Sequence, residues 1–266
     1  MSQSTCTSRR DIAVAGATDS PELYGQEAVY VARMLLVDDA KASSELFAAS
    51  LKAELDVVVD CVFEVSAVTP ALVSAVDYEV ALVDLSFPGQ GLTSGADALM
   101  VLHRHAPGTL LVVLTQGDGS VTDLLRDVWD VFPLAGVLSK AGSLSEQLES
   151  IGRILYGTHP IVDSILRMYL PEQRSPWRTL EGFGRLVPHA GHAKVWRALI
   201  ESPTEPSYNE LAARTGLAVN SIRNYRSQLV PELRLHGLIE PSLREMHAFG
   251  RRCRPFLWPH IVRRLG

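Results

Sequence analysis

The sequence contains no stretch approaching the roughly 18–20 uninterrupted apolar residues that a membrane-crossing helix needs. Its opening residues, MSQSTCTSRRDIAVAGATDS, include two arginines but no apolar core of the secretory type behind them. The expectation is a cytoplasmic protein with no membrane partner. Cysteine is scarce. The 3 residues, Cys6, Cys61 and Cys253, are widely scattered and never at zinc-site spacing, so they read as isolated reduced thiols. Neither an internal repeat nor a low-complexity tract is present. His103, His105, His189 and His192 form no catalytic or metal constellation and read as surface or packing residues.

What is present is ordinary globular composition. The chain has 266 residues, 47% hydrophobic and 21% charged, enough for two modest domains or one large one. The net charge of −5 conceals an asymmetry. Residues 1–171 carry 10 Lys+Arg against 22 Asp+Glu, a net of −12, whereas residues 172–266 carry 15 against 8, a net of +7. An acidic half joined to a basic half suggests two domains with different partners, and the basic half suits a polyanion.

Residues 1–32 are small and polar without a steady period, and read as a disordered leader. Over 33–157, apolar runs suited to buried strands occur at Met34–Val37, Val57–Val62, Val80–Val83, Leu110–Leu114 and Ala135–Leu138. Helix-compatible stretches lie at Ala42–Leu55, Pro70–Val76, Ala96–His105, Ser120–Trp129 and Ser143–Tyr156. Five such βα units predict a parallel sheet covered on both faces, with its ligand site outside the carboxyl ends of the strands. Residues 158–191, rich in Gly and Pro, read as a linker with one helix-like piece at Ile161–Leu170. Residues 192–266 read as helical.

The strand ends carry the chemistry. The first strand ends in Asp38-Asp39, the third in Asp84, the fourth in Thr115 and the fifth in Lys140. In a parallel sheet these ends face one way, so the groups converge. Crowded carboxylates repel and stay ionised only with a cation among them. Hard oxygen ligands with positions open to water favour Mg2+. A lysine and a hydroxyl on the same rim suit a phosphoryl group, and Asp84 at the centre suits a nucleophile that forms an acyl phosphate.

With LLVDDA (35–40), ALVDLSFPG (81–89), LLVVLT (110–115) and GVLSK (136–140), residues 33–157 resemble the receiver domain of bacterial response regulators. The resemblance implies a flavodoxin-like (βα)5 fold with strand order 2-1-3-4-5. It implies Asp84 as phosphoacceptor and Asp39, with the Asp84 carboxylate and the Ser86 carbonyl, as direct ligands of Mg2+. Asp38 would assist through water, Thr115 would hydrogen-bond the phosphoryl group and Lys140 would pair with its oxygens. The sequence departs from the family at Ala141, where proline is usual, at Val137, where an aromatic switch residue is usual, and at Gln116, where a small residue is usual. The segment after Pro88 is also longer than common.

In the basic half, Tyr208–Ser227 reads YNELAARTGLAVNSIRNYRS. Ala212, Gly216 four residues later and Ile222 six beyond that have helix-turn-helix spacing. The second helix would then expose Asn220, Ser221, Arg223, Asn224, Arg226 and Ser227, with Arg and Asn suited to base edges and Ser to phosphates. GLAVNSIRNY (216–225) is similar to the recognition helix of LuxR/NarL-type output domains, departing at Ala218, where serine is usual. Trp196, Leu199 and Ile200 read as core of a packing helix. The run LRLHGLIE (233–240) could instead open a winged-helix wing. The tail arginines Arg251, Arg252, Arg254, Arg263 and Arg264 are left between phosphate contacts and a solvated surface.

Together the resemblances imply a small all-α helix-turn-helix domain behind the receiver, in a transcription factor that binds double-stranded DNA. A cognate histidine kinase would phosphorylate Asp84, and a homodimer would set two recognition helices one turn of DNA apart. A second reading is an atypical receiver, governed by a ligand or constitutively active. A third, of another class, is a magnesium-dependent aspartyl-phosphate phosphohydrolase. There a second acid is usual two residues after the nucleophile, where this chain has Ser86.

Overall fold

The computed structural model describes residues 31–117, 119 and 121–266, so residues 1–30 of the expected leader lie outside it. From Arg33 onward strands and helices alternate. The order is β1 (Arg33–Val37), α1 (Lys41–Leu55), β2 (Val58–Val62), α2 (Pro70–Ala75), β3 (Val80–Val83), α3 (Gly95–His105), β4 (Leu110–Thr115), α4 (Thr122–Val131), β5 (Gly136–Ser139) and α5 (Leu144–Leu155). Each lies within two residues of the boundaries expected from the apolar runs. Every strand pair is parallel, and the order is β2-β1-β3-β4-β5 followed by a short β6 (Ile161–Val162). This is the doubly wound order 2-1-3-4-5 with one strand added.

The alternation of side chains along each strand divides the interior into two layers. Leu35, Val37, Ala81, Val83, Val113 and Val137 face Leu99, Leu102, Leu125 and Val128 of α3 and α4. Met34, Leu36, Leu82, Leu114 and Leu138 face Ala48 and Leu51 of α1 and Ile151 and Ile154 of α5. β2 forms one edge of the sheet. Its central Asp60 is held by Arg33 at 2.8 Å and by the Tyr78 hydroxyl at 3.0 Å.

The piece expected to be helical over Ile161–Leu170 is different in its first half. Ile161–Val162 extend beside β5, with the Asp163 amide donating to the Val137 carbonyl at 2.9 Å, and only then does α6 (Ser164–Arg167) form. The Asp163 side chain caps it by accepting from the Ile165 amide at 2.8 Å. A two-residue strand followed by one helical turn has too few residues to show either period.

The remainder is helical: α7 (Leu180–Arg185), α8 (Ala190–Glu201), α9 (Tyr208–Thr215), α10 (Val219–Leu235), α11 (Leu243–Arg252) and α12 (Arg254–Leu265). Trp196, Leu199 and Ile200 of α8 are fully buried, and Trp196 Nε1 donates to the Leu186 carbonyl at 2.8 Å. Between α9 and α10 the chain turns at Gly216, whose φ of 68° is left-handed. No strand forms over 233–240. α10 runs into this stretch and α11 follows it, so the chain has no wing there.

The tail arginines divide: Arg263 is exposed, and the other four bond to acids or backbone carbonyls of the chain. Arg252 reaches Asp127 at 2.8 Å and Asp123 at 3.3 Å, both on α4. Arg254 reaches Asp97 on α3 at 2.7 Å. Arg251 and Arg264 donate to backbone carbonyls of Ser202 and Val187. Phe132, after α4, packs on Phe256 of α12 with ring centroids 5.9 Å apart. Aliphatic and aromatic contacts and ion pairs therefore join the helical part to the α3–α4 face of the sheet domain.

Candidate functional site

Four strands deliver the acidic pocket. Asp38 and Asp39 follow β1, Asp84 follows β3, Thr115 closes β4, and Lys140 follows β5. β1 and β3 stop in register at Val37 and Val83, each followed at once by an aspartate, whereas β4 and β5 run two residues further, to Thr115 and Ser139. Asp38 and Asp84 are buried and Asp39 is half-buried. Oxygens of these three carboxylates all lie within 4.8 Å of one another, a group able to hold a metal ion. Lys140 Nζ sits 2.7 Å from Asp38 Oδ2 and 2.5 Å from Asp84 Oδ2. Asp38 Oδ1 accepts from the Ala40 amide at 3.0 Å, and Asp84 Oδ1 from the Ser86 amide at 3.3 Å.

Burial pushes the Asp84 carboxyl above the usual carboxylate range, and the Lys140 ammonium and the Ser86 amide only partly oppose it. For Lys140 burial works against the charge, yet Asp84 and Asp38 outweigh it, so the ammonium is held above its ordinary value. The lysine thus supplies the positive charge that three converging acids require, from a side chain long enough to withdraw. Thr115 is buried, and its carbonyl accepts from the Lys140 amide at 2.9 Å, which fixes the β4 and β5 ends side by side.

One feature of the pocket escaped sequence reasoning. A methyl group at Gly95, the first residue of α3, would overlap the Asp84 carbonyl oxygen. The close approach is fixed by the Gly95 amide donating to the Leu85 carbonyl at 3.2 Å. Only a glycine lets α3 begin this near the acidic residue. The signal was present, a lone glycine at a helix start, but nothing local says what backbone it meets.

The second candidate surface is α10. Asn220, Arg223, Asn224 and Ser227 are exposed, whereas Ser221 and Arg226 are half-buried. Arg226 turns inward: its Nε donates to the Pro241 carbonyl at 2.8 Å and its Nη1 to the Tyr208 hydroxyl at 2.9 Å. The Arg223 guanidinium lies 5.2 Å from the Tyr208 ring centroid, which limits its motion while leaving it open to solvent. Ile222 on the opposite face is fully buried.

No family model matches the chain, and no curated protein matches it. Solved structures do resemble it. One is the RcsB response regulator of Salmonella typhimurium, 18% identical over 82% of this chain and 98% of that one, with a TM-score of 0.44. Another is RcsB from Salmonella enterica serovar Typhimurium bound to promoter P1flhDC in the presence of the phosphomimetic BeF3−, 18% identical over 84% and 99%, TM-score 0.47. A third is a CheY-like response regulator receiver domain protein from Methanospirillum hungatei JF-1, 20% identical over 48% and 95%, TM-score 0.39. The fold of the present chain is set by its own sheet order and strand register.

Proposed function

We propose that the chain is a DNA-binding response regulator, phosphorylated on Asp84 and acting on duplex DNA through α10. The observation that carries this reading is the meeting of Asp38, Asp39, Asp84 and Lys140 at the carboxyl ends of parallel strands. The receiver corresponds to 33–157, the output domain to 192–266 and the junction to 158–191.

The donor set suits Mg2+ because its carboxylates offer hard oxygens: Asp39, Asp84 and the Ser86 carbonyl would hold the ion, with Asp38 assisting. Bound there, Mg2+ would neutralise the acids and draw charge from the transferring phosphoryl oxygens. An Asp84 carboxylate oxygen attacks phosphorus, a new P–O bond forms, and the donor's bond to phosphorus breaks, its electron pair leaving with the donor. With a histidine kinase as donor, the departing group is an imidazole. Lys140 releases its carboxylate contacts to pair with phosphoryl oxygens, and the Thr115 hydroxyl donates to another. The modified protein acts as a homodimer, presenting two copies of α10. Asn220, Arg223 and Asn224 are placed for base edges and Ser227 for phosphate, while Arg226 stiffens the helix from within.

Intact mass after incubation with magnesium and a small phosphodonor tests the assignment. Wild type should gain one phosphoryl group and Asp84→Asn none. An unmodified wild type would favour the atypical receiver. Sustained turnover of a phosphoester would favour the phosphohydrolase, a reading that Ser86 disfavours.

A further inference from the structure

Val137 leaves the fifth strand without an aromatic side chain able to follow Thr115, and the strand edge where such a group would act is covered. β6 pairs with β5 there, and Ile161 and Asp163 bond to the carbonyls of Ala135 and Val137 at 3.0 and 2.9 Å. The covering segment also reaches the loop after Thr115. Gly117, at a φ of 72°, lies so close to Leu166 of α6 that an added methyl group would collide with that side chain, and it also faces the Tyr169 ring. Leu166 is fully buried. The Tyr169 carbonyl accepts from Arg126 Nε of α4 at 2.8 Å.

From there the chain follows α4 to the helical domain. The Ser175 amide donates to Asp130 Oδ1 at 2.9 Å, and Arg174 donates to the Phe132 carbonyl at 2.7 Å with its guanidinium 4.4 Å from the Trp129 ring. Arg178 then spans both domains. Its Nη1 lies 3.3 Å from Asp127 and 3.6 Å from Asp130, and its Nη2 donates to the His236 carbonyl at 3.0 Å, at the end of α10.

We propose that the segment 161–178, in place of an aromatic residue on β5, transmits the state of the acidic pocket to the recognition helix. Leu166 against Gly117 is its inlet, and Arg178 between α4 and the end of α10 its outlet. A shift of the loop after Thr115 reaches Leu166 because Gly117 leaves no room between them for even a methyl group and Leu166 is fully buried, and α6 is tied to β5 through the Asp163 amide. Arg178 then holds α10 to whatever position α4 takes. The inference rests on the reading of the pocket as a phosphoacceptor site.

Amide hydrogen exchange of the full chain, with and without magnesium and beryllium fluoride, tests it. In wild type, exchange should change in peptides covering 84–95, 161–170 and 229–238, by roughly fivefold or more if the coupling is of ordinary allosteric size. In Arg178→Gln, which keeps a polar side chain at a partly exposed position, the response of 161–170 should persist and that of 229–238 should vanish. In Leu166→Ala both distant responses should vanish while that of 84–95 remains. A wild-type response at 229–238 retained in both variants would overturn the proposal, as would a wild-type response confined to the pocket. No response even at 84–95 would overturn the phosphoacceptor reading, and this inference with it.

Discussion

Gly95 and Asp84 show how much of the pocket depends on a residue that carries no chemistry. Replacing Gly95 with alanine forces the start of α3 away from the Asp84 carbonyl, because the atom in its way is backbone and cannot rotate aside. Gly95→Ala is expected to destabilise the fold by about 1–3 kcal/mol, the cost of overpacking a tight site, and to slow phosphoryl uptake at Asp84. Denaturant unfolding together with intact mass checks both effects. Unchanged stability would mean that α3 shifts freely. Asp38 and Asp84 were legible in the sequence because each directly follows an apolar run, and Lys140 because it stands two residues beyond the last one. The inward turn of Arg226 was not, since its partners Tyr208 and Pro241 lie on α9 and in the loop after α10.

At the scale of the element, α10 starts poorly for its length. Ala218 occupies the N-cap with extended φ and ψ and no side-chain acceptor, whereas α9 and α11 both have full capping boxes, at Ser207 and Ser242. Ala218→Ser should stabilise the protein by about 1 kcal/mol, read as a higher denaturant midpoint at unchanged slope. The exposed face of the same helix supports a separate expectation. On a duplex selected from a random pool, Arg223→Ala should weaken binding by about 1–3 kcal/mol and leave random-sequence affinity nearly unchanged. Equal losses on both would make Arg223 a phosphate contact. The five strands and the turn at Gly216 could be read in advance because apolar runs and a turn glycine are local signals. β6 could not, since pairing of two residues with β5 is set by where the chain returns in space.

For the molecule as a whole, the charge asymmetry has a different meaning from the one its arithmetic suggested. Part of the basic excess is spent inside the chain. Arg178, Arg252 and Arg254 ion-pair with acids of α3 and α4, the last two across 125 to 157 residues of sequence. Separations of that length leave no trace in local spacing. Packing within the helical part buries two neutral histidines. Burial, aided by His189, depresses His192 to about 4, and burial, aided by Arg178, depresses His236 to about 4. Between pH 6.5 and 4 the unfolded chain therefore binds protons that the folded chain does not. Stability is full above about pH 6.5 and is lost as pH falls toward 4, by on the order of 3 kcal/mol per histidine. Urea unfolding at pH 7, 6 and 5 should show the decline, and His192→Gln should reduce it. A pH-independent midpoint over that range would show that these imidazoles are protonated without cost.

The sixth strand also alters how copies of the protein can meet. Among the described residues, β5 is covered by β6 and the longer unpaired edge of the sheet is that of β2, with Asp60 at its centre, bonded to Arg33 and Tyr78. A second sheet joining antiparallel about that residue would bring two of these ion-paired carboxylates together, and accommodating both with their Arg33 and Tyr78 partners would disfavour strand-to-strand growth. A charged residue at the middle of that edge makes its backbone ladder a poorer template for the next molecule.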